Sequence, residues 1–235
     1  IAILAFLSWF GLKAKMPEVK VNTPKQPLRY IWDDYKQVFK NKTFLALTFG
    51  LPMVAMPLML WIALSPVMLV EELGLSSFEY GLAQFPVLGG LIVGNIVLIK
   101  LIDRLKLGTT VLIGLPLMLL GTLIVGLGLV WREYFLYTVI IGMTLVSFGE
   151  GISFSVLYRF ALMSSNVSKG TVAAAVSVLM MFSFFIVIEL VRIAYVHFHL
   201  WAYVLSCITL ILLWFSFPLY SLKKVMQERH AKGEF

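Results

Sequence analysis

The sequence predicts an all-α membrane protein, and three observations carry that prediction. Of its 235 residues, 60% are apolar and only 13% charged, with a mean hydropathy of +0.94. A soluble domain is about 45–50% apolar and about 25% charged. The apolar residues are gathered into runs of twenty or more, each long enough to cross a hydrocarbon core of about 30 Å as a helix. Those runs, residues 111–130 for example, do not alternate polar and apolar as the strands of a membrane barrel do.

Taken in chain order, residues 1–12 are apolar and are followed by basic residues. A signal peptide has its basic residues first, so this stretch reads as the end of a preceding span, and part of the protein is expected upstream. Residues 13–43 form a polar linker. Pro17, Pro24 and Pro27 keep its first half extended. Leu28, Ile31, Trp32, Tyr35, Val38 and Phe39 then recur at helical spacing among Arg29, Asp33, Lys36 and Lys40. That pattern predicts an amphipathic helix, lying either in the membrane surface or as an ordinary surface helix joining two halves. Six spans follow at about 44–70, 78–102, 108–131, 134–163, 170–195 and 198–222, and residues 223–235 form a polar tail. The breaks between spans are short, which makes successive helices antiparallel.

Lysine and arginine mark cytoplasmic loops. Sixteen of them fall in the linker, in the loops after the second and fourth spans, and in the tail, whereas Arg132 and Arg192 lie on the other side. The linker and C-terminus are therefore expected in the cytoplasm. The net charge of +7 is topological on this reading, and no nucleic-acid partner is expected. Cys207 is the single cysteine, so an intramolecular disulfide and a cysteine metal cage are excluded. His197-x-His199 has no acidic partner in sequence and is a weak metal motif. Walker, nucleophile-elbow and dinucleotide signatures are absent, which points away from an enzyme or ATP-driven pump. The sequons at Asn41 and Asn166 fall in loops assigned to the cytoplasm, where glycosylation is not expected.

Ionisable groups inside a span are functional candidates. Glu150, between Gly149 and Gly151 and about midway along the fourth span, is the foremost. An isolated carboxylate in hydrocarbon is costly, so Glu150 exchanges protons, meets a cationic ligand, or bonds to a neighbouring helix. Arg159 lies nine residues on, about half a turn away in azimuth and about 13 Å along the axis, so the two cannot pair within their helix. Arg159 is read as bracing a neighbouring element or snorkelling to the interface. Glu189 and Arg192, three apart, are expected to pair.

The first full span carries Pro52, Pro57 and Pro66 and is expected to be broken up by them, as in helices bending around a cavity. Gly81, Gly89, Gly90 and Gly94 on the second span form a small-residue strip for close packing. Gln84 and Asn95 add hydrogen-bonding groups there. Met53, Met56, Met59, Met180, Met181 and several phenylalanines offer an adaptable apolar lining, although lipid-facing or packed bulk explains each of them individually.

Several runs resemble the MdfA-type bacterial multidrug/proton antiporters of the major facilitator superfamily. They are Leu75-Ser76-Ser77-Phe78-Glu79-Tyr80-Gly81 with Gln84, Pro86 and Gly94-Asn95; Trp61-Ile62-Ala63 with Ser65-Pro66; and Ser168-Lys169-Gly170-Thr171-Val172 with Ala174-Ala175. The last is the most specific. Asp103-Arg104 resembles a degenerate copy of the superfamily's cytoplasmic Asp-Arg loop motif.

The resemblance implies the six-transmembrane-helix C-terminal bundle of the major facilitator fold. It implies an exporter of lipophilic, often cationic, drugs in exchange for protons, working by alternating access as a monomer in the bacterial inner membrane. The proton gradient supplies the energy and no cofactor is needed. The missing partner is an N-terminal six-helix half, which in this family carries the main coupling acids. By position, the drug pocket's wall includes Leu58, Met59, Ile62, Gln84, Leu88, Glu150, Phe154, Met181 and Phe184. Arg159, Asp103 and Arg104 have structural or gating roles. Glu150 departs from the family pattern, in which an apolar residue occupies that place. The alternatives are an exporter of a narrower substrate, such as a sugar, polyamine or metabolite, and a membrane scaffold without transport.

Overall fold

The computed structural model describes residues 6, 9–11, 28–102, 104–105, 108–165 and 167–231. Asp103, Asn166, most of residues 1–12 and the linker up to residue 27 lie outside the described residues. The chain divides into two units, residues 1–33 and 34–235. In the first, Phe6, Trp9 and Phe10 pack their rings together, with centroids 5.0–6.3 Å apart.

The amphipathic helix forms as α1 (Leu28–Lys40). Within the second unit its Val38 is buried and Tyr35 packs on the core, while Phe39 stays exposed. Six helices long and apolar enough to cross a membrane follow among the described residues, over Lys42–Glu72, Ser77–Ile102, Thr109–Val130, Arg132–Met163, Lys169–Phe198 and Leu200–Gln227. The fold is therefore all-α, a six-span membrane bundle.

Span one is α2 (Lys42–Ser65), which continues as a π-helix over Pro66–Glu72. The proline-broken helix expected here does not occur, since α2 runs unbroken through Pro52 and Pro57. Fixed φ is compatible with helix, and neighbouring helices and side chains can satisfy carbonyls that proline frees. Tyr203 OH donates to Pro57 O at 3.0 Å. Only at Pro66 does the winding change. The other spans are α3 (Ser77–Ile102), α4 (Thr109–Val130), α5 (Phe135–Met163), α6 (Lys169–Phe198), and α7 (Leu200–Trp214) leading into α8 (Phe217–Ala231).

Local chemistry sets the helix starts. Asn41 Oδ1 accepts from the backbone N–H groups of Thr43 and Phe44, capping α2, while its Nδ2 donates to Ser164 O at 2.8 Å. Ser76 and Glu79 form a reciprocal capping box at α3. Ser168 Oγ accepts from Thr171 N to cap α6, and Lys169 Nζ reaches back to Leu162 O at 3.1 Å, at the end of α5. The two most motif-like runs in the sequence thus place helix ends, a role worth about 1 kcal/mol per cap.

α5 is the central helix, packed on α4, α3 and α2; α2 in turn packs on α6, α7 and α8. Glycines make the α4–α5 contact possible. A Cβ built on Gly121 would sit 2.6 Å from Gly142 O, and one on Gly142 would sit 2.6 Å from Gly121 O. Gly114 and Gly149 oppose each other in the same way, at 2.5 and 2.6 Å. The α3–α5 contact uses Gly90 against Thr144 O and Gly94 against Phe148 O. The four-glycine strip expected on α3 is therefore corrected to two. A Cβ built on Gly81 or Gly89 meets nothing within 4 Å; Gly89 instead lines an apolar cavity shared with Ile140, Ile141 and Thr144 of α5.

Candidate functional site

The residues assigned to a drug-pocket wall separate into three groups. Ile62, Leu88 and Met181 are exposed on the bundle, at 51%, 44% and 63%. Met59, Gln84, Phe154 and Phe184 are half-buried, the apolar three against the core. Leu58 and Glu150 are interior, at 2% and 5% exposed. Ile62 and Met59 stand on α2, Leu88 and Gln84 on α3, Met181 and Phe184 on α6, and Phe154 on α5 beside Tyr158, with ring centroids 6.2 Å apart.

A chain of polar groups fixes α2 against α3. Trp61 Nε1 donates to Gln84 Oε1 at 2.9 Å, Gln84 Nε2 donates to Ser65 Oγ at 3.4 Å, and Ser65 Oγ lies 3.1 Å from Tyr80 OH. Gln84 is thus an interhelical contact one turn from the exposed Leu88. The sequence offers Gln84 as a polar contact, and Trp61, Ser65 and Tyr80 only as members of family-like runs that it does not pair with Gln84. Trp61 and Ser65, four apart on α2, and Tyr80 and Gln84, four apart on α3, each present one helical face; that spacing was a usable signal.

Glu150 sits on the face of α5 turned into the bundle. Its Oε2 is buried with no hydrogen-bond partner among the described residues, and Tyr203 and Cys207 on α7 are near enough to interact with one another and, for Tyr203, with Glu150 electrostatically. Tyr203 OH has two acceptors in reach, Pro57 O at 3.0 Å and Met143 Sδ at 2.8 Å. The interior therefore holds a small polar cluster drawn from α2, α5 and α7. Ser147, one turn before Glu150, also carries a buried hydroxyl without a partner among the described residues. An unpaired charge in such a place costs several kcal/mol. Nothing in the sequence linked Tyr203 with Glu150, because they lie more than fifty residues apart and are related only through the bundle's packing.

Arg159 is exposed and, among the described residues, has no hydrogen-bond or ion-pair partner. Arg104 is exposed in the loop after α3, where its backbone N–H donates to Leu101 O at 3.0 Å. Asp103, its neighbour in the loop motif, is outside the described residues. Glu189 and Arg192 form the expected ion pair, with Arg192 Nη2 2.6 Å from Glu189 Oε1 and Nε 3.0 Å from Oε2.

Only 22% of the most apolar stretch of α3 and 28% of that of α6 is buried, against 61% for α2 and for α5. The exposed side chains on α3 include Phe78, Phe85, Ile92 and Ile99, and those on α6 include Phe182, Phe185 and Ile193. Such surfaces suit hydrocarbon or another helical bundle, not water.

Comparison with known proteins agrees with this architecture. A profile described as Major Facilitator Superfamily matches residues 1–188. The chain is 67% identical, over 99% of its length and 56% of the relative's, to the chloramphenicol resistance protein CraA of Acinetobacter baumannii. It is 36% identical to the multidrug transporter MdfA of Yersinia pestis and to that of Escherichia coli, over 83% of this chain and 48% of each relative. The chain thus spans about half the length of the curated relatives it matches.

Proposed function

The chain belongs to the Major Facilitator Superfamily, and on that premise we propose that it is the C-terminal six-helix half of a proton-coupled exporter of lipophilic drugs, chloramphenicol among them. The observation that carries this reading is the 67% identity to a chloramphenicol resistance protein, which extends over 99% of the chain. An N-terminal half pairs with this bundle, and alternating access moves substrate between them. The linker and C-terminus lie in the cytoplasm, the transporter sits in a bacterial inner membrane as a functional monomer, and the proton gradient is the energy source.

On this reading the exposed Ile62, Leu88 and Met181, with Met59, Phe154 and Phe184 behind them, form an adaptable apolar wall for drugs. Thioether and aromatic side chains repack around varied shapes. Gln84 and Trp61 hold the α2–α3 part of that wall in register. Leu58 supports it from inside the bundle rather than touching substrate. Glu150 is the chemically active group of this half, carrying a proton or meeting a cationic drug as α2, α5 and α7 rearrange. Arg159, Arg104 and Asp103 act at or near helix ends as structural or gating groups.

The test uses cells making the complete protein, loaded with chloramphenicol or a fluorescent lipophilic cation. Accumulation of both is expected to fall relative to cells lacking the protein and to recover when a protonophore collapses the gradient. Export that persists after collapse of the gradient contradicts proton coupling.

A further inference from the structure

At the end of the bundle opposite the lysine-rich loops, a cavity of about 610 Å³ opens between three helix ends. Glu72 and Leu73 end the π-helix of the first span, Gly128, Leu129, Arg132 and Phe135 join α4 to α5, and residues 197–201 make the α6–α7 corner. Its wall combines three basic side chains, one carboxylate and several rings. The corner is tight. His199 has φ 48 and ψ −137, the single positive-φ residue other than glycine among those described. This left-handed backbone is uncommon for a side chain of this size. It brings His199 Nδ1 to 3.5 Å from Glu72 Oε1, the oxygen that also accepts from Tyr195 OH at 3.0 Å. Both contacts use Oε1, which leaves Oε2 for an incoming donor.

Arg132 lines the same cavity with no hydrogen-bond or ion-pair partner among the described residues. Beside it, Trp131 is 57% exposed, and across the cavity Trp201 is 53% exposed. Exposed tryptophans at span ends mark the depth of lipid headgroups. A free guanidinium beside imidazoles suits a phosphate, and a carboxylate oxygen suits an ammonium group. Phe135, Phe198, Leu129 and Leu200 add an apolar part to the cavity's wall.

We propose that this cavity binds the headgroup of a phospholipid bearing a primary ammonium group. Arg132 holds the phosphate, with His197 and His199 beside it, and Glu72 Oε2 accepts from the ammonium. The charges are complementary at both ends of a zwitterion, and the aromatic rim sets the depth at which a lipid, rather than a dissolved ion, arrives. A quaternary ammonium lacks N–H donors, and a glycerol headgroup lacks the positive charge. The site therefore prefers phosphatidylethanolamine to phosphatidylcholine or phosphatidylglycerol.

The test is native mass spectrometry of the complete protein in detergent with each of these three lipids. Phosphatidylethanolamine adducts are expected to be the most persistent. Arg132→Gln is expected to weaken all three roughly tenfold, the size of one charge-assisted contact, and Glu72→Gln to abolish the preference for ethanolamine while leaving phosphate-dependent binding. Glu72→Gln also serves should Arg132→Gln fold poorly. Equal retention of the three lipids by the unaltered protein, or unchanged adducts in Arg132→Gln, overturns the proposal. Displacement of the lipid by equimolar glycerophosphoethanolamine or inorganic phosphate assigns the site to a soluble phosphate and likewise overturns it.

Discussion

Replacing Gly149 or Gly142 with alanine is expected to destabilise the complete protein markedly, whereas Gly170→Ala is expected to be neutral. At Gly149 a new Cβ would lie 2.6 Å from Gly114 O and 2.7 Å from Met118 Cγ; at Gly142 it would lie 2.6 Å from Gly121 O. These obstacles are mainly backbone atoms of α4, so the helices must separate along the seam. Overpacking of this kind costs about 1–3 kcal/mol. Gly170 meets nothing within 4 Å, and alanine there improves helix propensity. The measurement is the thermal midpoint for loss of the monodisperse detergent-solubilised protein. Combining Gly121→Ala with Gly142→Ala is expected to cost less than the sum of the two, because both force the same seam apart. Equal midpoints for Gly142→Ala, Gly149→Ala and Gly170→Ala would mean that α4 and α5 do not meet closely in the membrane.

The second large effect is at Glu150. Glu150→Gln keeps the side chain's size and removes its ability to carry a negative charge or exchange a proton. Export of a lipophilic cation is expected to fall about tenfold or more, a loss of one favourable charge interaction in a site of low dielectric. Export of neutral chloramphenicol is expected to fall by less than about threefold, since its binding gains little from that charge. Initial efflux rates from preloaded cells, normalised to the amount of protein in the membrane, give both values. Equal losses for the two drugs would assign Glu150 to general proton coupling or to packing. No loss for either would remove it from the mechanism.

These two sites show what the sequence does and does not make legible. Each span is a run of apolar residues bounded by charge or turn, and hydropathy alone locates such runs to within a few residues. The α6–α7 boundary is the hardest, because α6 remains helical to Phe198 and the reversal falls on His199. Burial partners are another matter. Glu150 stands out as a charge in an apolar run, but its electrostatic relation to Tyr203 depends on how α5 and α7 are rotated, which no local pattern encodes.

The glycine seam lies between these cases. Gly114, Gly121 and Gly128 are spaced seven apart, as are Gly142 and Gly149. In antiparallel helices joined by a short turn, that spacing places Gly121 opposite Gly142 and Gly114 opposite Gly149. The sequence carried this register, whereas the strip on α3 drew attention because its glycines are denser. Density misled there, since Gly81 and Gly89 make no close helix contact within the bundle. The prolines misled in a similar way. Helix breaking is a property of proline in water, and in α2 the surrounding bundle keeps the helix continuous past two of them.

The central claim, proton-coupled drug export, is tested most directly in everted membrane vesicles containing the complete protein. The lumen is made acidic by respiration and reported by a pH-sensitive dye. Adding chloramphenicol is expected to raise lumenal pH as drug enters and protons leave, at a rate that grows with the amount of protein and is absent from vesicles without it. Drug uptake into the lumen with no accompanying proton movement would contradict the account.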